Sequence, residues 1–112
     1  MYNNEVRKWL FDSFYKRKVD IRLGLQIGSI VISTSGRDKG CYFIVVEVEE
    51  NYVYLVDGSI RKIDRPKKKK IKHIELTNLI EENIQMRVIN KYKIANYDIK
   101  RALKRILKEI RR

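Results

Sequence analysis

Along residues 27–57 the apolar positions come in short bursts rich in β-branched and aromatic residues: GSIVIST, CYFIVVEV and YVYLVD. Bursts of this length, bounded by turn-forming residues, predict three β-strands over 28–34, 41–48 and 52–57. The first link is GRDKG, in which Gly36 and Gly40 both permit the positive φ of a tight reversal. Glu49, Glu50 and Asn51 make the second link. Asp57 and Gly58, a favoured type I′ hairpin pair, make the third and lead to a predicted strand SIRKI over 59–63. Pro66 then removes a backbone donor and Lys67, Lys68, Lys69 and Lys70 repel one another. Residues 64–70 are therefore expected to form a loop or ragged strand end, before a last strand IKHIE over 71–75. Five short strands suit a small closed barrel, because closure removes unpaired edges.

Outside this stretch the hydrophobic period lengthens. Val6, Trp9, Leu10 and Phe14 fall near helical spacing, with Asn3 or Asn4 as a cap, and predict a short amphipathic helix over 2–18. VDIRLGLQ over 19–26 reads as a connector, since Gly24 interrupts any helix. After Glu75, Thr77 is expected to cap a helix with Glu81 and Glu82 in its first turn and Leu79, Ile80, Ile84 and Val88 along one side, ending within 90–95. From Asn96, Ile99, Leu103, Ile106, Leu107 and Ile110 line one side of a second helix, while Lys100, Arg101, Lys104, Arg105, Lys108 and Arg111 point away. The chain is thus expected to be mainly β with α appendages: an N-terminal helical extension over 1–26, a barrel over 27–76 and a basic helical region over 77–112.

Composition supports a folded chain. Ile, Leu, Val and Phe supply 36 of 112 residues, well above the level at which a highly charged chain stays disordered. The single cysteine, Cys41, cannot form an internal disulfide, and a reducing cytoplasm is the expected compartment. The longest apolar run, 41–46, is far short of the roughly 20 residues that cross a bilayer, so no membrane association is expected. The net charge of +12 is segregated: residues 57–76 hold eight basic and three acidic side chains, residues 77–112 ten and four, while 27–56 hold two and four. A surplus so placed costs stability by self-repulsion and suggests a polyanionic partner.

The segment IGSIVISTSGRDKGCYFIVVEVEENYVYLVDG, followed by RKIDRPKKKKIKHI, resembles the KOW family of RNA-binding SH3-like barrels. More narrowly, it is similar to bacterial KOW-domain proteins related to the archaeal and eukaryotic large-subunit ribosomal family numbered fourteen. The positions that carry the likeness are GRDKG at 36–40, the valine-rich strand at 42–48, Asp57 with Gly58, and the lysine tract ending in KHI at 67–74. TNLIEENIQ and YDIKRAL are similar to the helical end of that group, whereas residues 1–26 have no counterpart in it. The resemblance implies an SH3-like barrel, RNA binding and a link to ribosomes, with ribosomal RNA or a ribosomal subunit as partner.

Candidate contacts follow from charge and exposure. The GRDKG turn presents Arg37 and Lys39, and an arginine can fork two hydrogen bonds onto phosphate. Asp38 is read as a turn-former or as the partner that orients Arg37. A basic ribbon of Arg61, Lys62, Arg65, Lys67, Lys68, Lys69, Lys70, Lys72 and His73 is anchored by strands at both ends, and suits phosphate contacts that position without reading sequence. The four-lysine run is expected to contribute charge and almost no stability. Arg101, Lys104 and Arg105 extend the candidate RNA surface onto the last helix, and Tyr42, Tyr52 and Tyr54 are candidate stacking faces. Against these stand two rival readings, an SH3-like protein-interaction module and a transcription-linked KOW factor. Catalysis is not expected: Cys41 and His73 are the only members of a Cys-His pair, no spacing suits zinc, and the carboxylate pairs 49–50 and 81–82 sit in a turn and a helix start. No cofactor or metal is expected, and a monomer is.

Overall fold

The computed structural model describes residues 19–20 and 24–110, so the helix expected over 2–18 lies outside the described residues. Within the connector, β1 (Val19–Asp20) and β2 (Leu25–Gln26) form a two-residue antiparallel ladder. The main sheet contains β3 (Ser29–Ser33), β4 (Tyr42–Val48), β5 (Tyr52–Val56), β6 (Lys67–Lys70) and β7 (Ile74–Ile80), all paired antiparallel. Their order is β6-β5-β4-β3-β7. The edge strands β6 and β7 are joined by a single 3-10 turn, Ile71–His73, but do not pair with each other, and the sheet is open. Two helices follow, α1 (Glu82–Ile89) and α2 (Asn96–Ile110).

Unbroken apolar bursts arise here because both faces of the sheet are covered. On one face Leu25, Val31, Phe43, Val45, Val48, Val53 and Leu55 form a core closed by Ile71, Ile74 and Leu76. On the other, Ile30, Ile44 and Val56 pack against Ile84 of α1 and Ile99, Ala102, Leu103 and Ile106 of α2. Successive strand side chains point to opposite faces, so Phe43, Ile44 and Val45 serve alternate cores. Each fully buried side chain of this size contributes about 1.5–3 kcal/mol by leaving water. Tyr42 and Val46 pack on the helix side of β4, which makes Tyr42 part of the core margin.

Four expected elements differ in the folded chain. Residues 71–73, expected to begin a strand over 71–75, form the 3-10 turn in which the chain passes from one edge strand to the other, and β7 starts only at Ile74. SIRKI is not a strand: the Asp57 carboxylate accepts hydrogen bonds from the amides of Ser59 at 2.9 Å and Arg61 at 2.8 Å, drawing them into a local turn and away from any ladder. Asp57 and Gly58 therefore open a loop over 57–66 instead of a two-residue hairpin. Residues 67–70, expected to be loop or ragged end, are β6, with Lys67, Lys68, Lys69 and Lys70 opposite Leu55, Tyr54, Val53 and Tyr52. Alternation puts neighbouring ammonium groups on opposite faces, which relieves the repulsion, and Pro66 sits just before the ladder, where a missing donor does no harm. Thr77 does not cap a helix; residues 77–80 complete β7. The Thr77 hydroxyl donates to the Ile30 carbonyl at 2.7 Å, where the β3–β7 register shifts, and Glu81 is the N-cap of α1, its carboxylate accepting from the Asn83 amide.

Two glycines let the helices approach the sheet. Gly28, with φ +91°, donates from its amide to the Val45 carbonyl at 2.7 Å and accepts at its carbonyl from the Glu81 amide at 2.8 Å. A Cβ there would stand 2.6 Å from Gln85 Cβ. Gly58, with φ +78°, faces the first turn of α2, and its Cβ would stand 2.3 Å from the Asn96 carbonyl oxygen and 2.7 Å from the Lys100 amide nitrogen. Nearby, the Asn96 side-chain oxygen accepts from the Ile63 amide at 2.8 Å, tying the 57–66 loop to the same helix end.

Gly58→Ala should therefore combine left-handed strain with a backbone collision. Gly40→Ala, at φ +88° with nothing within 4 Å of its Cβ, should carry the strain alone, roughly 1–3 kcal/mol. In thermal denaturation Gly58→Ala should lower Tm by clearly more than Gly40→Ala; equal shifts would show that α2 does not hold this position.

Candidate nucleic-acid interface

The four lysines of β6 have different fates. Lys69 points inward and its side chain is only 7% exposed. Its ammonium donates to Asp38 Oδ1 at 2.7 Å and to the Ser35 carbonyl at 2.9 Å. The Ser33 hydroxyl lies 2.6 Å from the same Asp38 oxygen and donates to it. Burial alone pushes the Asp38 carboxyl up, but the hydrogen bonds from Lys69 and Ser33, with the charges of Lys69 and Lys67, outweigh it and hold the group below its ordinary value of 3.8. Asp38 thus orients Lys69, not Arg37. Its other oxygen, Oδ2, is buried with no hydrogen bond among the described residues.

Lys68 and Lys70 point to the opposite face of β6. The Lys68 ammonium sits 4.5 Å from the centroid of the Tyr52 ring and 5.9 Å from that of Tyr54, and 3.8 Å from Glu49 Oε2. The Tyr54 hydroxyl donates to Glu49 Oε1 at 2.8 Å; that bond first, then burial and the Glu49 charge, raises the phenol above its usual range. One face of the Tyr52 ring is thereby occupied by Lys68, so the tyrosines serve here as a seat for a lysine. The Lys68–Glu49 pair is half exposed and contributes little to stability.

Between the 36–41 turn, the 57–61 segment and the start of β6 lies a cleft of about 370 Å³. Arg37, Arg61 and Lys67 stand around it, Phe43, Cys41 and Ile60 give it an apolar lining, and the Asp38–Lys69 pair forms part of its wall. Arg37, Arg61 and Lys67 have no side-chain hydrogen bond or ion pair to the described residues, whereas the two carboxylates at the cleft, Asp38 and Asp57, are both engaged internally. The lining cations Arg37, Arg61, Lys67 and Lys69 outnumber the carboxylates Asp38 and Asp57, so the cleft carries a net positive charge.

The remaining candidates are spread over other surfaces. Lys39 is exposed on the 36–40 turn, and Lys62 and Arg65 are exposed on the 57–66 loop. Lys72 is exposed and His73 half-buried in the 3-10 turn, where the His73 carbonyl accepts from the Thr34 amide at 2.9 Å, beside the start of the GRDKG hairpin. Arg101 and Lys104 are exposed on α2, over the helix-bearing face of the sheet. Arg105 is committed: its guanidinium donates to the nearly buried Glu81 carboxylate, which joins α2 to the cap of α1. Ile60 and Phe43 carry no charge signal, and Cys41, considered from the sequence only for a disulfide or a Cys-His pair, stands exposed at the cleft. The Lys69 pairing spans 31 residues of chain, so spacing could not reveal it.

No protein-family model and no curated protein sequence matches this chain.

The expectation that the lysine run adds no stability fails at Lys69. Lys69→Met should leave the Asp38 carboxylate without its counter-charge and cost about 3 kcal/mol in urea denaturation, whereas Lys68→Met should stay within about 0.5 kcal/mol. Because the Asp38 carboxyl is held down in the folded protein, the stability it contributes is full above pH 3.8 and is lost as pH falls from there through its lower folded value. Asp38→Asn should flatten that acid limb of the stability profile; an unchanged limb would show that other carboxylates cause it.

Proposed function

We propose that this chain is an RNA-binding protein of KOW type, its strands curved into an SH3-like barrel, that acts on ribosomes through structured ribosomal RNA and performs no catalysis. The observation that carries the reading is the convergence of Arg37, Arg61 and Lys67, whose side chains make no hydrogen bond or ion pair to the described residues, on one cleft whose own carboxylates are hydrogen-bonded internally. Cations held in a fixed array by folded elements match a phosphate chain at low ordering cost, and an arginine can clamp phosphate through two donors. The barrel reading draws support from an antiparallel meander whose two edge strands are separated by one three-residue turn.

Lys39, Lys70 and Lys72, with Arg101 and Lys104 on α2, extend the positive surface beyond the cleft. Such contacts position the RNA and make affinity steeply salt-dependent. Among the described residues no helix is long and apolar enough to cross a membrane.

The test is co-sedimentation with purified ribosomal subunits, and anisotropy titration against ribosomal RNA fragments, at rising salt. Recovery on subunits that nuclease abolishes is expected. Replacing Arg37, Arg61 and Lys67 by glutamine should weaken RNA binding and reduce the salt slope by about one per cation that reached a phosphate, with little change in Tm. Nuclease-resistant capture would instead favour a protein-interaction module, and recovery on transcription complexes alone a transcription-linked factor.

A further inference from the structure

Resting on the RNA-binding reading, we infer that the cleft takes a single unpaired nucleotide, its base lodged against Ile60 and its flanking phosphates held by Arg37, Arg61 and Lys67. Ile60 carries the argument. It is 82% exposed, the most exposed of the large apolar residues described. A singly exposed apolar side chain is ordinary, but the backbone that carries this one is tied by hydrogen bonds at the edge of a cleft. The Asp57 carboxylate binds the amides on both sides of it, those of Ser59 and Arg61, and the Asp57 and Gly58 amides both point to the Arg61 carbonyl, at 2.9 and 3.1 Å. Gly58 is seated against the Asn96 backbone of α2. Ile60 is therefore an apolar tip on an ordered backbone, at the lip of a cleft in which cations outnumber carboxylates.

The cleft matches the two halves of a nucleotide. Its accessible apolar lining, Cys41 and Ile60 above the buried Phe43, offers a surface for the flat face of a base, and its rim offers two guanidinium groups and an ammonium for phosphate. A volume of about 370 Å³ lies at the lower end of small-ligand sites and suits one nucleotide, not a length of helix. A paired base in an A-form duplex keeps its faces inside the stack and cannot enter such a cleft, so the site selects a bulge, a loop or a strand end. An acidic peptide fits less well: arginine forks match its carboxylates as they do phosphate, but those carboxylates sit on flexible side chains, whereas a nucleotide carries its anions in the backbone on either side of the base.

Cys41 makes the test direct, since it is exposed, lines the cleft and is the sole cysteine of the chain. The intact protein is titrated by anisotropy with three labelled RNAs: a perfect hairpin, the same hairpin with one bulged nucleotide, and a short single strand. Cys41 alkylation by iodoacetamide is timed with and without each RNA. The bulged and single-stranded RNAs should bind more tightly than the perfect hairpin and should slow alkylation, and Ile60→Ser should reduce the preference for the bulge roughly tenfold without moving Tm. If all three RNAs bind alike and leave Cys41 equally reactive, the nucleotide site is overturned while RNA binding stands. If none binds, the RNA-binding reading falls and the nucleotide site with it. Protection of Cys41 by a glutamate-rich peptide carrying a leucine, with none by RNA, would also overturn the inference and make the cleft a peptide site.

Discussion

A buried ammonium ties the edge strand of this sheet to a turn far away in the chain. The five-strand sheet is open, and its edge strand β6 consists of lysines, residues that ordinarily stay in water. Lys69 crosses from that edge to the β3–β4 turn, where the Asp38 carboxylate and the Ser35 carbonyl receive it and Ser33 supports the carboxylate. A charge taken out of water so completely is tolerated only with a partner and hydrogen bonds of this quality. The same bond fixes two walls of the cleft relative to each other, so the positions of Arg37 on the turn and Lys67 on the strand depend on it.

Charge in this protein is therefore of two kinds. Lys69 and Arg105 are structural, tying β6 to a hairpin turn and α2 to the cap of α1. Lys68 is intermediate, resting on Tyr52 and Tyr54 beside Glu49. Arg37, Arg61 and Lys67 have no such duties and remain available to a ligand. Sorting cations by what they already touch separates those whose loss would cost stability from those whose loss would change only binding, a distinction that net charge cannot make.

The helices are part of the same construction. They cover the second face of the sheet through Ile84, Ile99, Leu103 and Ile106, and close approach at Gly28 and Gly58 sets their distance. Through Gly58 and Asn96 the start of α2 also braces the 57–66 loop, which carries Ile60 and Arg61 to the cleft. Beyond its packing face and its basic face, α2 thus braces the loop on which the candidate site depends.

Where the physics is local, the sequence was a sound guide. The bursts at 29–33, 42–48 and 52–56 became strands, and the 3.6-residue spacing from Asn96 became α2 with Ile99, Leu103 and Ile106 buried as expected, because burial on a pleat or a helix face leaves a periodic trace. Leu107 is half-buried and Ile110 exposed at the helix end. Reasoning failed where a distant partner overruled a local preference. Backbone pairing with β5 made a strand of four lysines, and pairing with β3 kept 77–80 out of a helix. Capture of two amides by Asp57 cancelled the strand expected over 59–63. The sequence by itself determined the segregation of charge, the apolar strands and the amphipathic last helix, since each is a property of neighbours in the chain. Only the tertiary structure decided which lysine is buried, which cations are free and that Arg37, Arg61 and Lys67 meet, because those facts depend on groups tens of residues apart brought together by the packing of two cores.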